Sequence, residues 1–291
     1  MNQTVDSHGQ LKVLGNQIVD MNNKPFQLNG ISSHGLQWFG NIVTREALLD
    51  LRDNWNIKVF RAAMYTVQGG YIENRSVKNK LTEIVDTAIE LGLYIIIDWH
   101  ILHDNNPQMH QKEAVEFFSE MAIRYGNFPN IIYELCNEPN GSISWGGNIK
   151  PYALSVIKEI RKHDTRNLIL VGSGSWSQNL QDPANDPIPY QNVAYTLHFY
   201  AGTHGQSLRD RISYAMGKGI AIHVSEWGLT DSSGNGSLNE KAANDWLTFL
   251  DEKKIGYVNW SYSNASESSA ALTWDKKLTR SGQWVKTWLT K

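Results

Sequence analysis

The chain has 291 residues, 41% of them apolar, a formal net charge of -2, one cysteine, 11 tryptophans and 12 tyrosines. That length suits one large α/β barrel, for which about 250 residues plus insertions is usual, and the charge gives no electrostatic basis for binding nucleic acid or an anionic membrane. No apolar run approaches the ~20 residues of a membrane-spanning helix, and the lone Cys136 excludes an intrachain disulfide and reads as a small core residue.

No basic segment followed by an apolar stretch is visible at the start, so no signal peptide is read there. In residues 11–25, Gly15-Asn16 and Asn22-Asn23 punctuate short alternating runs, which predicts a small hairpin. From there β-branched apolar runs alternate with helical patterns to the end of the chain. The strands are predicted at 26–31, 57–63, 93–98, 131–135, 168–172, 193–199, 220–225 and 256–260. Helices are predicted at 44–55, 76–91, 111–125, 150–163, 207–216, 238–253 and 281–289. The connection 178–191, with three prolines, reads as a loop holding one short helix.

Strand–helix alternation repeated eight times implies parallel pairing by right-handed crossovers. The expectation is an α/β fold, a (β/α)8 TIM barrel forming one domain over 1–291. Residues 1–25 are an N-terminal extension whose hairpin closes the barrel floor. An open doubly wound sheet is the alternative, and it wants a phosphate-type glycine loop after the first strand. Asn29-Gly30-Ile31-Ser32-Ser33-His34 is not one, and Gly172-Ser-Gly174-Ser-Trp176 lacks a third glycine and a following helix.

In such a barrel the chemistry lies at the C-terminal ends of the strands. Two of those ends stand out. The runs ending in Glu138-Pro139 and Glu226-Trp227-Gly228 each carry an apolar strand straight into a carboxylate and then a helix breaker. A carboxylate at the mouth of a buried strand is costly to desolvate, and two that converge form the pair glycoside hydrolysis requires. Their separation of 88 residues is three repeats of about 29, which places them on the fourth and seventh strands.

The remaining strand ends are His34, Arg61, His100, Asn137, Trp176, His198 with Tyr200, and Trp260. Arg61 is either an ordinary ion-pair residue or the cation that keeps Glu226 ionised. His100 is either a satisfied core histidine or a donor to a sugar hydroxyl. His198 and Tyr200 share one face of a strand and reach the same ligand together. Trp260, and beyond it Trp38, Tyr65 and Trp176, are candidate platforms for pyranose rings, with packing as the alternative. His103, His204 and His223 read as loop or core residues, and Trp55, Trp246, Trp284 and Trp288 as packing.

These motifs resemble glycoside hydrolase family 5 over nearly the whole chain, and within it the bacterial endo-β-1,4-glucanases. The resemblance rests on Arg61, Asp98-Trp-His100, Ile132-Tyr-Glu-Leu-Cys-Asn137-Glu138-Pro139, Thr196-Leu-His198-Phe-Tyr200, Ser225-Glu226-Trp-Gly228 and Asn259-Trp260-Ser261. It implies double displacement with retention, Glu138 as acid/base and Glu226 as nucleophile. It also implies sugar contacts from Arg61, His100, Asn137, His198, Tyr200 and Trp260, with His34, Trp38 and Tyr65 on the glycone side and Trp176 on the leaving-group side. Related enzymes carry a lysine and an acid after the equivalent of Trp260; here the acid is Glu267 and Ala265 replaces the lysine. The expected partner is a β-glucan polysaccharide or oligosaccharide, with no cofactor, no metal and no nucleic acid. The enzyme is expected to be a monomer, secreted or at the cell surface. Mannan, xyloglucan and mixed-linkage glucan remain alternative substrates of the same mechanism. A metal-dependent barrel hydrolase wants a His-x-His pair ending an early strand and an aspartate ending the eighth, and neither is present. A silent sugar-binding barrel is disfavoured by the presence of both glutamates.

Overall fold

The computed structural model describes residues 4–291. Strands β1 (Lys12–Leu14) and β2 (Gln17–Val19) form the expected antiparallel hairpin around Gly15-Asn16. Eight parallel strands follow: β3 (Gly30–Ser33), β4 (Val59–Tyr65), β5 (Tyr94–His100), β6 (Ile131–Glu134), β7 (Leu168–Val171), β8 (Val193–Tyr200), β9 (Ile222–Gly228) and β10 (Tyr257–Tyr262). They close into a barrel, β10 pairing with both β3 and β9. Helices connect the strands on the outside, so the predicted (β/α)8 architecture is the one observed.

Period-2 alternation divides each strand between two cores. On β4, Phe60, Ala62 and Met64 join the large cluster between barrel and helices, whereas Val59 belongs to the interior cluster. On β5, Ile95, Ile97 and Trp99 pack outward while Tyr94 and Ile96 pack inward. Toward its C-terminal end the interior changes character. Above the apolar layer of Val59, Tyr94, Ile96, Ile132 and Leu168 come Arg61, Asp98 and Glu134, all fully buried. The hairpin residue Ile18 joins Leu11, Phe26 and Leu28 in that lower cluster, so the hairpin does close the floor.

Boundaries differ from expectation where the apolar pattern misleads. The first barrel strand starts at Gly30, because residues 26–29 still serve the floor: Phe26 N donates to Ile18 O at 2.9 Å. β4, β5 and β9 run two or three residues further than predicted, through Tyr65, His100 and Gly228, since pairing continues after the sequence turns polar. The loop after β7 holds the one short helix expected, Gln181–Asn185. A helical turn over Gly174–Ser177 was not expected, nor were the short helices Thr4–His8 and Leu36–Phe39.

Candidate active site

The C-terminal ends of the strands surround a cavity of about 560 Å³. Of the predicted residues, His34, Tyr65, His100, Glu138, Trp176, His198, Tyr200, Glu226, Trp260 and Glu267 line it. Trp38 stands just outside, 45% exposed on its short helix with its ring 5.0 Å from that of Tyr65.

Glu226 is held from two sides. Arg61 Nη1 donates to Oε2 at 3.0 Å and the Tyr200 hydroxyl donates to Oε1 at 2.7 Å. Tyr200 fits because Gly228, its register partner on β9, has no side chain; a Cβ there would lie 2.5 Å from the tyrosine ring. Glu138 projects from the loop after β6, and its Oε1 is 2.9 Å from His198 Nδ1. Glu138, His198 and Glu226 each bring one atom within 4.8 Å of the others. Among the described residues this is the one acid–histidine group compact enough to share an ion. Both His198 nitrogens are already hydrogen-bonded, however, to Glu138 and to Ser225, so the arrangement is one built to hold protons.

The two carboxyls are pushed apart in acidity. Burial raises that of Glu138, the charge of Glu226 adds to the rise, and the His198 contact only partly opposes it. Burial also acts to raise Glu226, but the cations His198 and Arg61 and the Tyr200 hydroxyl outweigh it and leave Glu226 below the usual range. Burial disfavours a charged His198, yet its contacts with Glu134 and Glu138 lift it to about 9.

Two predicted sugar contacts lie beneath the cavity wall. Arg61 is completely buried, and its planar head is taken up by Glu134 (Nε–Oε2, 2.7 Å), Asp98 (3.1 Å), Glu226 and Asn137 Oδ1 (2.7 Å). It holds charges in place and has no surface to offer a sugar. Asn137 is 1% exposed and its amide donates to Ile101 O at 3.0 Å and to His100 Nε2 at 3.2 Å. That contact makes His100 Nε2 an acceptor while Nδ1 faces Asp98 at 2.6 Å, so His100 has no free N–H for a hydroxyl. Its ring instead stacks between Tyr65 (4.1 Å) and Trp260 (5.3 Å). Burial and the nearby Arg61 keep it neutral.

On one rim, His34 Nε2 lies 3.3 Å from Glu267 Oε1. On the other, Trp176 is 48% exposed on a turn whose residues Ser175, Trp176 and Ser177 all have left-handed backbones, at φ 57°, 55° and 55°. The turn is tied to the segment carrying Glu138: Trp176 N donates to Pro139 O at 3.0 Å, and Ser177 Oγ to Asn137 O at 2.6 Å. Gly172 permits this approach, since a Cβ there would sit 2.2 Å from Cys136 O.

Sequence reasoning gave no role to Glu134 or Ser225 and assigned His204 to loop or core. Glu134 is wholly buried and held down to about 2: burial works to raise it, but Arg61 and His198 prevail. The available signal was its position, two residues after Ile132 on the inward face of β6. His204 does line the cavity, and its Nδ1 accepts from Tyr200 N at 2.8 Å. Gln178 and Ser232–Gly234 complete that wall.

The profile described as Cellulase (glycosyl hydrolase family 5) matches residues 19–266. Over 281 residues the chain is 52% identical to Endoglucanase N of Pectobacterium atrosepticum, covering 97% of this chain and 63% of that protein. It is also 52% identical to an endoglucanase of Clostridium saccharobutylicum, covering 97% of this chain and 65% of that one. The chain thus spans somewhat under two thirds of these relatives' lengths. The catalytic domain of Thermobifida fusca endoglucanase Cel5A, solved in complex with cellotetraose, superposes with a TM-score of 0.94 at 32% identity, covering 99% of both chains.

Proposed function

Because the chain belongs to glycosyl hydrolase family 5, we propose that it is an endo-β-1,4-glucanase that cleaves internal bonds of cellulose and related β-glucans by double displacement. Glu226 attacks the anomeric carbon. Glu138 gives its proton to the departing glycosidic oxygen as the C–O bond breaks and its electron pair goes to that oxygen. Water then adds to the anomeric carbon from the side of Glu138, which takes one of its protons, and the bond to Glu226 breaks to restore the carboxylate.

The observation that carries this reading is the spacing of the pair. One oxygen of each carboxyl lies within 4.8 Å of one on the other, a close approach that suits the ~5–5.5 Å carboxyl separation of retaining enzymes better than the ~6.5–9.5 Å of inverting ones. The opposed acidities of the two groups support the roles: an ionised nucleophile under Arg61 and Tyr200, and a protonated acid in its field. His198 and Tyr200 orient the pair, Trp260 and Tyr65 floor the sugar bound at the cleavage point, and Trp176 receives the leaving group. His34, Trp38 and Glu267 serve the glycone side. Asn137 reaches a sugar 2-hydroxyl by releasing His100, while Arg61 acts through Glu226. The substrate is a polymer too large to enter a cell, so the enzyme works outside it, secreted or at the surface, and as a monomer; no helix among the described residues is long and apolar enough to cross a membrane.

A proton NMR time course on a soluble β-glucan tests the mechanism: the β-anomer should appear first, and an initial α-anomer overturns double displacement. Labelling by a 2-fluoro-cellobioside should fall on Glu226 alone. Rates on carboxymethylcellulose, mixed-linkage glucan, xyloglucan, glucomannan and xylan rank the substrates, with carboxymethylcellulose or mixed-linkage glucan expected to lead.

A further inference from the structure

An unbroken chain of contacts joins the two carboxyls through the barrel interior. It runs from Glu138 Oε1 to His198 Nδ1 (2.9 Å), from His198 Nε2 to Ser225 Oγ (2.9 Å), and from Ser225 Oγ to Glu134 Oε1 (2.5 Å). From Glu134 Oε2 it passes to Arg61 Nε (2.7 Å), and from Arg61 Nη1 to Glu226 Oε2 (3.0 Å). The donors can be assigned from one end. Arg61 can only donate, and Glu134, ionised, can only accept. Ser225 has a single proton, and it must lie on the short contact to Glu134, because two acceptor oxygens at that distance repel. The Ser225 oxygen is then an acceptor toward His198, so Nε2 carries hydrogen. The one ring position left open to gain or lose a proton is Nδ1, which faces Glu138.

We propose that Glu134, acting through the Ser225 hydroxyl, is a positioning residue that pins hydrogen on His198 Nε2 and so makes Nδ1 and Glu138 Oε1 a pair sharing one labile proton. The inference rests on Glu138 being the acid/base. Its consequence is an acid that stays armed beyond the range of an isolated carboxyl. When the glutamate is ionised the proton resides on Nδ1, and it returns to Oε1 as the leaving oxygen approaches. Ser225 and Glu134 keep their own protonation states throughout. The logic is that of a carboxylate orienting a catalytic imidazole, here with a hydroxyl interposed and a second carboxyl as the imidazole's client.

The groups that face His198 are consistent with this. Glu134 and Glu138 from β6 and its loop and Glu226 from β9 favour its cation, and Asp98 on β5 adds negative potential where it is ionised. His100 and His223 lie within its field, but both are held neutral by burial, His223 at about 4 with Nε2 on Leu28 O.

Ser225→Ala removes the hydroxyl link while leaving Glu134 on Arg61 and 3.8 Å from His198 Nε2, beyond hydrogen-bond reach, and Ser225→Thr restores a hydroxyl. Imidazole 15N NMR reads the His198 tautomer without any turnover, and the pH profile of kcat/KM reads its effect on the acid. In the parent enzyme Nε2 should remain protonated across the titration and Nδ1 should titrate. In the alanine variant, shown folded by circular dichroism, Nε2–H should lose its dominance. The alkaline limb of kcat/KM should fall by a unit or more, with recovery in the threonine variant. An unchanged tautomer in Ser225→Ala, or an alkaline limb that does not move, overturns the proposal. Failure of the underlying reading shows elsewhere: Glu138→Ala would then hydrolyse unactivated β-glucan at the parent rate, whatever the imidazole spectrum reports.

Discussion

Removing the charge of Glu226 should make Glu138 a stronger acid, by an amount the geometry bounds. With one oxygen of each group within 4.8 Å and an effective dielectric of about 20, their mutual repulsion is about 3.5 kcal/mol, equivalent to about 2.5 pH units. The sign follows from the cause: the neighbouring anion raises Glu138, so its loss lowers it. Two perturbations deliver the same change. Glu226→Gln does it permanently, and trapping Glu226 as its 2-fluoro-cellobiosyl ester does it as the reaction itself would. Carboxyl 13C NMR of labelled glutamate, followed from pH 3 to 10, should show the Glu138 titration fall by about 2 units in both. On the proposed mechanism, that fall converts a group protonated for the first step into a base for the second. A Glu138 midpoint that stays put or rises in both species would refute the reasoning, because the pair would then not be coupled through the cavity.

His198 should make stability depend on pH. Its folded value of about 9 lies above the unfolded 6.5, so its contribution is full below pH 6.5 and lost as pH rises through 9. At about 1.36 kcal/mol per unit this amounts to ~3 kcal/mol, read as the extra loss between pH 6.5 and 10 in urea denaturation relative to His198→Gln; parallel curves count against it. Arg61→Ala should destabilise by about 3–5 kcal/mol, since Asp98, Glu134 and Glu226 lose their shared cation, and a denaturation midpoint matching the parent's would contradict that account. Trp176→Ala should raise KM about tenfold, or ~1.4 kcal/mol, for oligosaccharides reaching the leaving-group side, with little effect on aryl cellobiosides; equal effects on both would remove it from that side. Ala265→Lys, two residues before the cavity residue Glu267, should tighten cellotriose severalfold by calorimetry while leaving kcat on an activated substrate unchanged, and weaker binding would count against the proposed glycone-side role of this loop.

Much of this site is legible because a barrel puts its chemistry where strands stop being apolar. Glu138, Glu226, His198 and Tyr200 are each the polar end of an apolar run, and the shared face of His198 and Tyr200 follows from the two-residue period. What the pattern conceals is depth. Arg61 within β4 and Asn137 just after β6 read like His198 in the sequence, yet neither lines the cavity, and only three-dimensional packing shows that each is taken up by its protein neighbours. Glu134 is hidden for the same reason, as a charge inside a strand whose partners come from β4, β8 and β9. The orientation of His100 was not readable either, because it depends on an amide from another strand. Trp176 was found as a strand-end aromatic, but its left-handed support leaves no periodic signature.

That support bears on how this enzyme can be made more heat-tolerant. A non-glycine residue in the left-handed region costs about 1–2 kcal/mol, and three in succession stand between Gly174 and Gln178. Ser177 repays part of this through its bond to Asn137 O, and Trp176 through its bond to Pro139 O; Ser175 is exposed and makes neither. Of the three, position 175 is therefore where glycine would relieve the strain at least cost in lost bonds. It is also where such a gain would loosen the exposed Trp176 at the cavity rim, so, on the leaving-group role proposed for that indole, selection for endurance alone would drift away from turnover on long chains.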